Sequence, residues 1–151
     1  MMGAMLFAED LEPGRTFLLG TMSLSAQEIV DFARAWDPQP FHVDADAAAA
    51  TAFGGLIASG VQTVAVAQRL LFDAFVGHSA VIAGLGVDEL RLPRPLRPGT
   101  VVSGRAEIVD RRLRDDGRAV VVFATTLVDA DGQTLMSQRT TMLVRSGSHA
   151  S

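Results

Sequence analysis

The stretch VQTVAVAQRLLFDAFV, residues 61–76, decides the architecture. Val61, Val64, Ala65, Gln68, Leu71, Phe72 and Phe75 recur at the spacing of one helix face. Val66, Ala67 and Leu70 fill remaining positions, so the helix is apolar nearly all the way round. Such a helix is predicted to be buried. Gly54 and Gly55 break the chain ahead of it, and Gly77 is a natural C-terminal stop.

Downstream, the period changes to that of strands. Candidate strands cover 81–92, 101–113, 119–128 and 134–144, with one more upstream at 17–22. Arg139, Thr141 and Leu143 alternate with Gln138, Thr140 and Met142, as on a strand with two unlike faces. Asp115-Asp116-Gly117 and Asp129-Ala130-Asp131-Gly132 carry tight-turn chemistry and are predicted to close two antiparallel hairpins. One buried helix against an antiparallel sheet is an α+β arrangement.

Upstream, Ser25 and Glu28 form a capping box, with Leu24 and Ile29 placed as a hydrophobic staple. Ile29, Phe32, Ala33 and Trp36 then follow one buried helix face, which places Trp36 in the core. Pro38 biases Asp37 out of the helical region, so this helix is predicted to end near Trp36. Pro40 is read as keeping the next stretch extended. Asp44 is the expected N-cap of an alanine-rich turn reaching about Ala52.

The chain has 151 residues and a mass of 16.0 kDa, which suits a single domain spanning 1–151. Its core is expected over about 11–144, with a frayed small and polar tail at 145–151. A compact monomer of this mass exposes roughly 7,400 Å², against roughly 23,000 Å² unfolded, so no disulfide or metal staple is needed. Net charge is −4, so a basic nucleic-acid footprint is not expected. All 13 basic residues are Arg, which removes Schiff-base chemistry and a P-loop lysine. Cysteine is absent, which removes thiol nucleophiles and thiolate zinc sites. The start MMGAMLFAED is a poor export signal, and no apolar run reaches the roughly 18 residues of a membrane helix. A cytoplasmic protein without membrane contact is the expectation.

Chemistry concentrates in DPQPFHVD, residues 37–44, between the two helices. Two prolines stiffen a segment carrying acids and a histidine, which lowers the entropy cost of holding them in place. Asp37 follows a helix C-terminus, where an anion is electrostatically disfavoured, so local structure does not ask for it. A raised carboxyl pKa there would suit a general base. A metal site from His42, Asp44 and Asp46 is not expected, because Asp44 is better explained as a cap. FGGLIASG, residues 53–60, leads into the long helix. Backbone N–H groups at that helix start lack intrahelical partners, and with the dipole they can polarise a carbonyl oxygen. Gly60 lets a ligand approach the backbone closely.

Together these residues resemble the MaoC-like dehydratase family, which includes the (R)-specific enoyl-CoA hydratases. The family's Asp, Pro, apolar residue, His and Asp fall at Asp37, Pro40, Phe41, His42 and Asp44. Its alanine-rich stretch, Phe, Gly, Ile-Ala and Gly fall at 47–50, Phe53, Gly54, Ile57-Ala58 and Gly60. Pro98-Gly99 looks like the family's Pro-Gly turn, so the resemblance runs from about Leu11 to Val144. It implies a hot-dog fold and a homodimer or dimer of dimers, with reversible hydration of a 2-enoyl-CoA to a (3R)-hydroxyacyl-CoA. The implied catalytic set is Asp37, His42 and the Gly60 amide, with no metal and no cofactor beyond the CoA of the substrate. Ser59, Phe53, Leu56, Val64 and Phe72 are candidates for the substrate side, and Arg91, Arg94 or Arg97 for phosphate contact, Arg94 foremost. Three positions depart from the pattern. Ser59 stands where many members have His, Gln68 where some have Ser, and Thr100 where an acid follows Pro-Gly. Two other readings are a hot-dog acyl-CoA thioesterase and a non-catalytic acyl-CoA-binding subunit.

Overall fold

Residues 3–149 are described in the computed structural model. Among them the chain runs β1 (Thr16–Met22), α1 (Ala26–Trp36), α2 (Pro40–Val43), α3 (Ala45–Ala49), α4 (Gly60–Ala74), β2 (Val81–Arg91), β3 (Val102–Leu113), β4 (Arg118–Val128) and β5 (Thr134–Arg145). The sheet order is β1-β3-β4-β5-β2, every neighbouring pair antiparallel. Local chemistry explains the connections in its second half. Gly117 (φ +79°) and Gly132 (φ +80°) take the left-handed conformation that the two hairpin turns need. β1 and β2 lie at opposite edges, so the segment between them must cross the sheet, and α4 is that crossing.

The core lies between α4 and one face of the sheet. On β4, Ala119, Val121, Phe123, Thr125 and Leu127 are buried in strict alternation. At the far end of α4, the Phe75 ring stacks on Phe17 at 4.1 Å and meets Phe123 edge-on at 5.2 Å. A long helix wrapped by an antiparallel sheet is the hot-dog arrangement that the resemblance implied. Both expected caps are present. Ser25 Oγ accepts the Glu28 amide while Glu28 Oε1 accepts the Ser25 amide. Asp44 Oδ1 accepts the amides of Asp46 and Ala47 at the start of α3.

Four expectations are corrected. The buried face of α4 is Gln62, Thr63, Val66, Ala67, Leu70 and Leu71, and of the expected stripe only Leu71 and Phe75 are buried. Val61 and Phe72 are 59% and 50% exposed. An all-round apolar helix does not say which side meets the sheet, and here one apolar side is left uncovered. Trp36 is 73% exposed rather than core. α1 is tied to α4 near its own start, where Gln62 Nε2 donates to the Glu28 carbonyl at 3.2 Å, and its last turn runs past that cover. Pro40 begins the single turn of α2 instead of an extended run, since proline suits a first helical position. The tail is tied down at its start. Ser146 is buried and its hydroxyl donates to Glu9, whose carboxylate also accepts the Gly147 amide at 2.9 Å. Arg111 holds the carbonyls of Ala8 and Glu9 from β3. The packed unit therefore begins before residue 11, with Ala8 fully buried, and ends after 144. Among the described residues no helix is long and apolar enough to cross a membrane.

Two expected outcomes follow. Phe75→Ala empties the centre of the three-ring cluster and should cost about 3–5 kcal/mol of stability, read as a lower urea midpoint. Glu9 is pulled down from its ordinary 4.5 to about 2, chiefly by the Ser146 hydroxyl and then by the Gly147 amide. A carboxylate whose folded pKa is depressed stabilises the fold above its unfolded pKa and loses that contribution as pH falls through the folded one. The melting-temperature gap between wild type and Glu9→Gln should therefore be full at neutral pH and shrink from about pH 4.5 towards 2.

Candidate active site

The short helices α2 and α3 and the start of α4 converge on one site, and backbone hydrogen bonds fix how they meet. Asp37 closes α1 as a non-helical residue, its amide still bonded to the Ala33 carbonyl. α2 then carries His42 into the interior, where its side chain is only 5% exposed. Phe41 packs edge-on against the His42 ring at 4.5 Å and touches Phe53 at 5.7 Å. The 57–58 segment is pinned from two sides. The Ile57 amide donates to the Phe41 carbonyl and the Ala58 amide to the Leu96 carbonyl. Ser59 and Gly60 follow at once and open α4.

This framework sets the protonation pattern. The Ile57 carbonyl lies 2.7 Å from His42 Nδ1. A carbonyl only accepts, so Nδ1 carries a hydrogen. In the neutral ring Nε2 is then an acceptor. That Nε2 faces Asp37 Oδ2 at 3.5 Å. Asp37 is held on both oxygens: Ser59 Oγ–H donates to Oδ2 at 2.6 Å and Gln39 Nε2 to Oδ1 at 3.0 Å. These donors favour the anion, the Ser59 hydroxyl most, and with the nearby imidazole they outweigh desolvation. The Asp37 carboxyl thus lies below the usual carboxylate range, opposite to the expected rise.

A cavity of about 220 Å³ adjoins this pair. His42, Gly60, Phe53, Thr63, Leu92 and Arg94 are in its wall. It is smaller than a usual ligand pocket of roughly 300 Å³ or more, so it suits the reacting end of a substrate. A Cβ at Gly60 would lie 2.6 Å from Leu92 Cδ1, so a larger residue there would have to push the Leu92 side chain aside. The Ser59 hydroxyl accepts the Val61 amide at 3.2 Å, while the Gly60 amide donates to no group among the described residues. Of the helix-start donors without an intrahelical partner, it is the one whose residue lines the cavity.

The predicted set is brought together only in part. His42, Gly60, Phe53 and Arg94 share the cavity wall, while Asp37 and Ser59 lie behind it, Asp37 adjoining it through His42. Leu56 and Val64 instead pack against the hydrophobic core, and Phe72 lies on the exposed side of α4. Ser59 is fully buried with its hydroxyl engaged on both sides, so it does not present itself to a substrate. Arg97 is occupied with the Phe53 carbonyl at 2.6 Å, and Arg94 donates to the Thr134 carbonyl at 3.3 Å. Sequence reasoning missed Gln39, the Ile57 carbonyl, Thr63 and the Leu92, Pro93, Pro95 and Leu96 that form the wall around Arg94. The two prolines bracketing Arg94 were the available signal for that wall. Among the described residues no three His, Asp or Glu converge as metal ligands.

Fold and site together define a hot-dog protein with an acid–imidazole pair at the start of its central helix. Residues 9–130 match the family described as MaoC like domain, and the chain belongs to that family. The 3-hydroxybutyryl-CoA dehydratase of Methylorubrum extorquens is 32% identical over 70% of this chain and 65% of its own length. The crystal structure of a MaoC-like dehydratase from Rhodospirillum rubrum superposes with a TM-score of 0.84 at 32% identity, covering 93% of this chain and 97% of that one. The (R)-hydratase from A. caviae involved in PHA biosynthesis gives a TM-score of 0.72 at 25% identity, covering 89% and 97%. All three of these proteins are named as dehydratases or hydratases.

Proposed function

We propose that this protein is a hydro-lyase that adds water reversibly across the double bond of a 2-enoyl-CoA, giving a (3R)-hydroxyacyl-CoA. The observation that carries this reading is the pair of acceptors, Asp37 Oδ2 and His42 Nε2, set 3.5 Å apart beside an unclaimed amide. A water at hydrogen-bond distance from both commits its two hydrogens to them. Its lone pair is left to meet an electrophilic carbon. Hydration uses that arrangement directly. The water oxygen bonds to the β carbon as one member of the pair takes a proton. The π electrons move towards the thioester oxygen, where the Gly60 amide stabilises the enolate-like charge. A proton returned by the pair to the α carbon completes the addition, and both groups regain their starting state. The two groups act as a coupled unit, so base and acid are roles of the pair. An oxyanion donor of this kind is worth about 3–4 kcal/mol in the transition state. Positioned acid–base help adds roughly a hundred- to ten-thousand-fold. The step transfers no electrons and calls for no metal or redox cofactor.

The working unit in this reading is a homodimer. All eleven residues of β2 are exposed, and its outer edge has no partner strand among the described residues. Ile82, Leu85, Val87 and Leu90 lie on that strand, and Val61 and Phe72 on α4 add to the uncovered apolar surface. An edge of this length and character calls for cover. The described chain exposes 8197 Å², above the roughly 7,400 Å² of a compact monomer of its mass.

Purified protein should remove the conjugated enoyl-thioester absorbance of crotonyl-CoA without releasing free thiol. Asp37→Asn and His42→Ala should each lower kcat by about a hundredfold or more, with Asp37→Asn melting as wild type does. Thiol release would instead identify a thioesterase, and saturable binding without turnover a binding subunit. On a sizing column with light scattering, the protein should show twice the 16.0 kDa chain mass. Leu85→Lys on β2 should shift it to the monomer with loss of turnover. A monomeric wild type would end the dimer reading.

A further inference from the structure

Ser59 is the place where this chain does something its family pattern does not specify. Its side chain serves two elements at once. As N-cap of the fifteen-residue α4 it accepts the Val61 amide at 3.2 Å, and it donates to Asp37 Oδ2 at 2.6 Å, twenty-two residues away. It is fully buried, so no solvent molecule competes for that hydroxyl. A hydroxyl has one hydrogen, and the amide contact uses a lone pair, so the hydrogen is directed at the carboxylate by construction.

We infer that Ser59 is a positioning residue for Asp37: it locks the carboxylate against the start of α4 so that Oδ2 keeps a lone pair free beside His42 Nε2, where one water can donate to both. The inference rests on the hydration reading for its catalytic consequence, but the coupling itself stands on geometry. Oδ1 is occupied by Gln39, so rotation of the carboxylate would break two hydrogen bonds. The groups acting on Asp37 are few. Gln39 from the connecting loop and Ser59 from the start of α4 are neutral donors, and His42 from α2 is the titratable neighbour that acts on it by charge when its ring is protonated. Ser59 has the largest effect of these in keeping the carboxylate ionised. Without it, Asp37 should both reorient and take up a proton more readily, which would disarm half of the acceptor pair.

The test uses Ser59→Gly, because glycine is nearly as good an N-cap as serine and so removes the hydroxyl with little loss of helix stability. The Asp37 carboxyl is titrated first, by carbon NMR of aspartate-labelled protein with Asp37→Asn to assign the signal. No substrate is involved. The Asp37 midpoint should move up in Ser59→Gly and return towards wild type in Ser59→Thr, which restores a hydroxyl. An unmoved midpoint overturns the inference whether or not the protein is a hydratase. Crotonyl-CoA hydration then reads the consequence. Loss of a hydrogen bond to a charged group should lower kcat by about 10- to 100-fold and shift the acid limb of kcat/KM to higher pH, with KM little changed. Ser59→Gly in an Asp37→Asn background should cost nothing further, since Ser59 acts through Asp37. Wild-type kcat and an unmoved acid limb in a folded Ser59→Gly protein would overturn the positioning role. A wild type silent on every enoyl-CoA tried would count against the hydratase reading alone, because the carboxyl titration decides the coupling independently.

Discussion

Seating α4 across the inner face of the sheet is the constraint from which the other features follow. β1 and β2 occupy opposite edges, so the chain between them has to traverse the sheet, and α4 is the element long and apolar enough to do it. Its far end is anchored by Phe75 between Phe17 and Phe123. Its near end is thereby brought against α1 and α2, where Gln62 reaches the Glu28 carbonyl and Ser59 reaches Asp37. The open amide of Gly60 stands beside the acid–imidazole pair because the core has fixed where the helix begins.

The electrostatics of Asp37 show how one helix end can answer another. An acid directly after α1 faces the negative end of that helix, which disfavours its ionised form. Taken alone, this argues for a raised pKa. The fold places the same carboxylate at the start of α4, where the field has the opposite sign, and supplies donors from Ser59 and Gln39. The net direction is downwards. An anionic Asp37 facing an imidazole whose other nitrogen is tied to the Ile57 carbonyl forms a pair of acceptors, the feature on which the proposed water addition rests.

The same seating leaves surface behind. A single helix cannot cover the whole inner face and also bury its own circumference, so Val61 and Phe72 stay in solvent and β2 is bare. The exposed Trp36 is a related case, an apolar residue at a helix end with nothing built over it.

Much of this was legible in the chain itself, for a physical reason. Capping boxes, Asx caps, glycine turns and period-two alternation are short-range effects, completed within a few residues. Accordingly the Ser25–Glu28 box, the Asp44 cap, the Asp-Gly hairpins and all five strands were read to within a residue or so at their ends. The Asp37–His42 segment and Gly60 were legible as well, through a resemblance carried by their fixed spacing. What tertiary structure alone decided were the relations across long sequence separations. Which side of α4 faces the sheet depends on a surface made by residues 16–22 and 102–145, and hydrophobic periodicity names apolar positions without naming their partners. The loss of Trp36 from the core, the capture of Ser146 by Glu9 and the cavity wall at 92–96 are of the same kind. So is the role of Ser59. Its helix-capping bond spans two residues and could be read locally, while its bond to Asp37 spans twenty-two and exists only because the core has brought the two ends together.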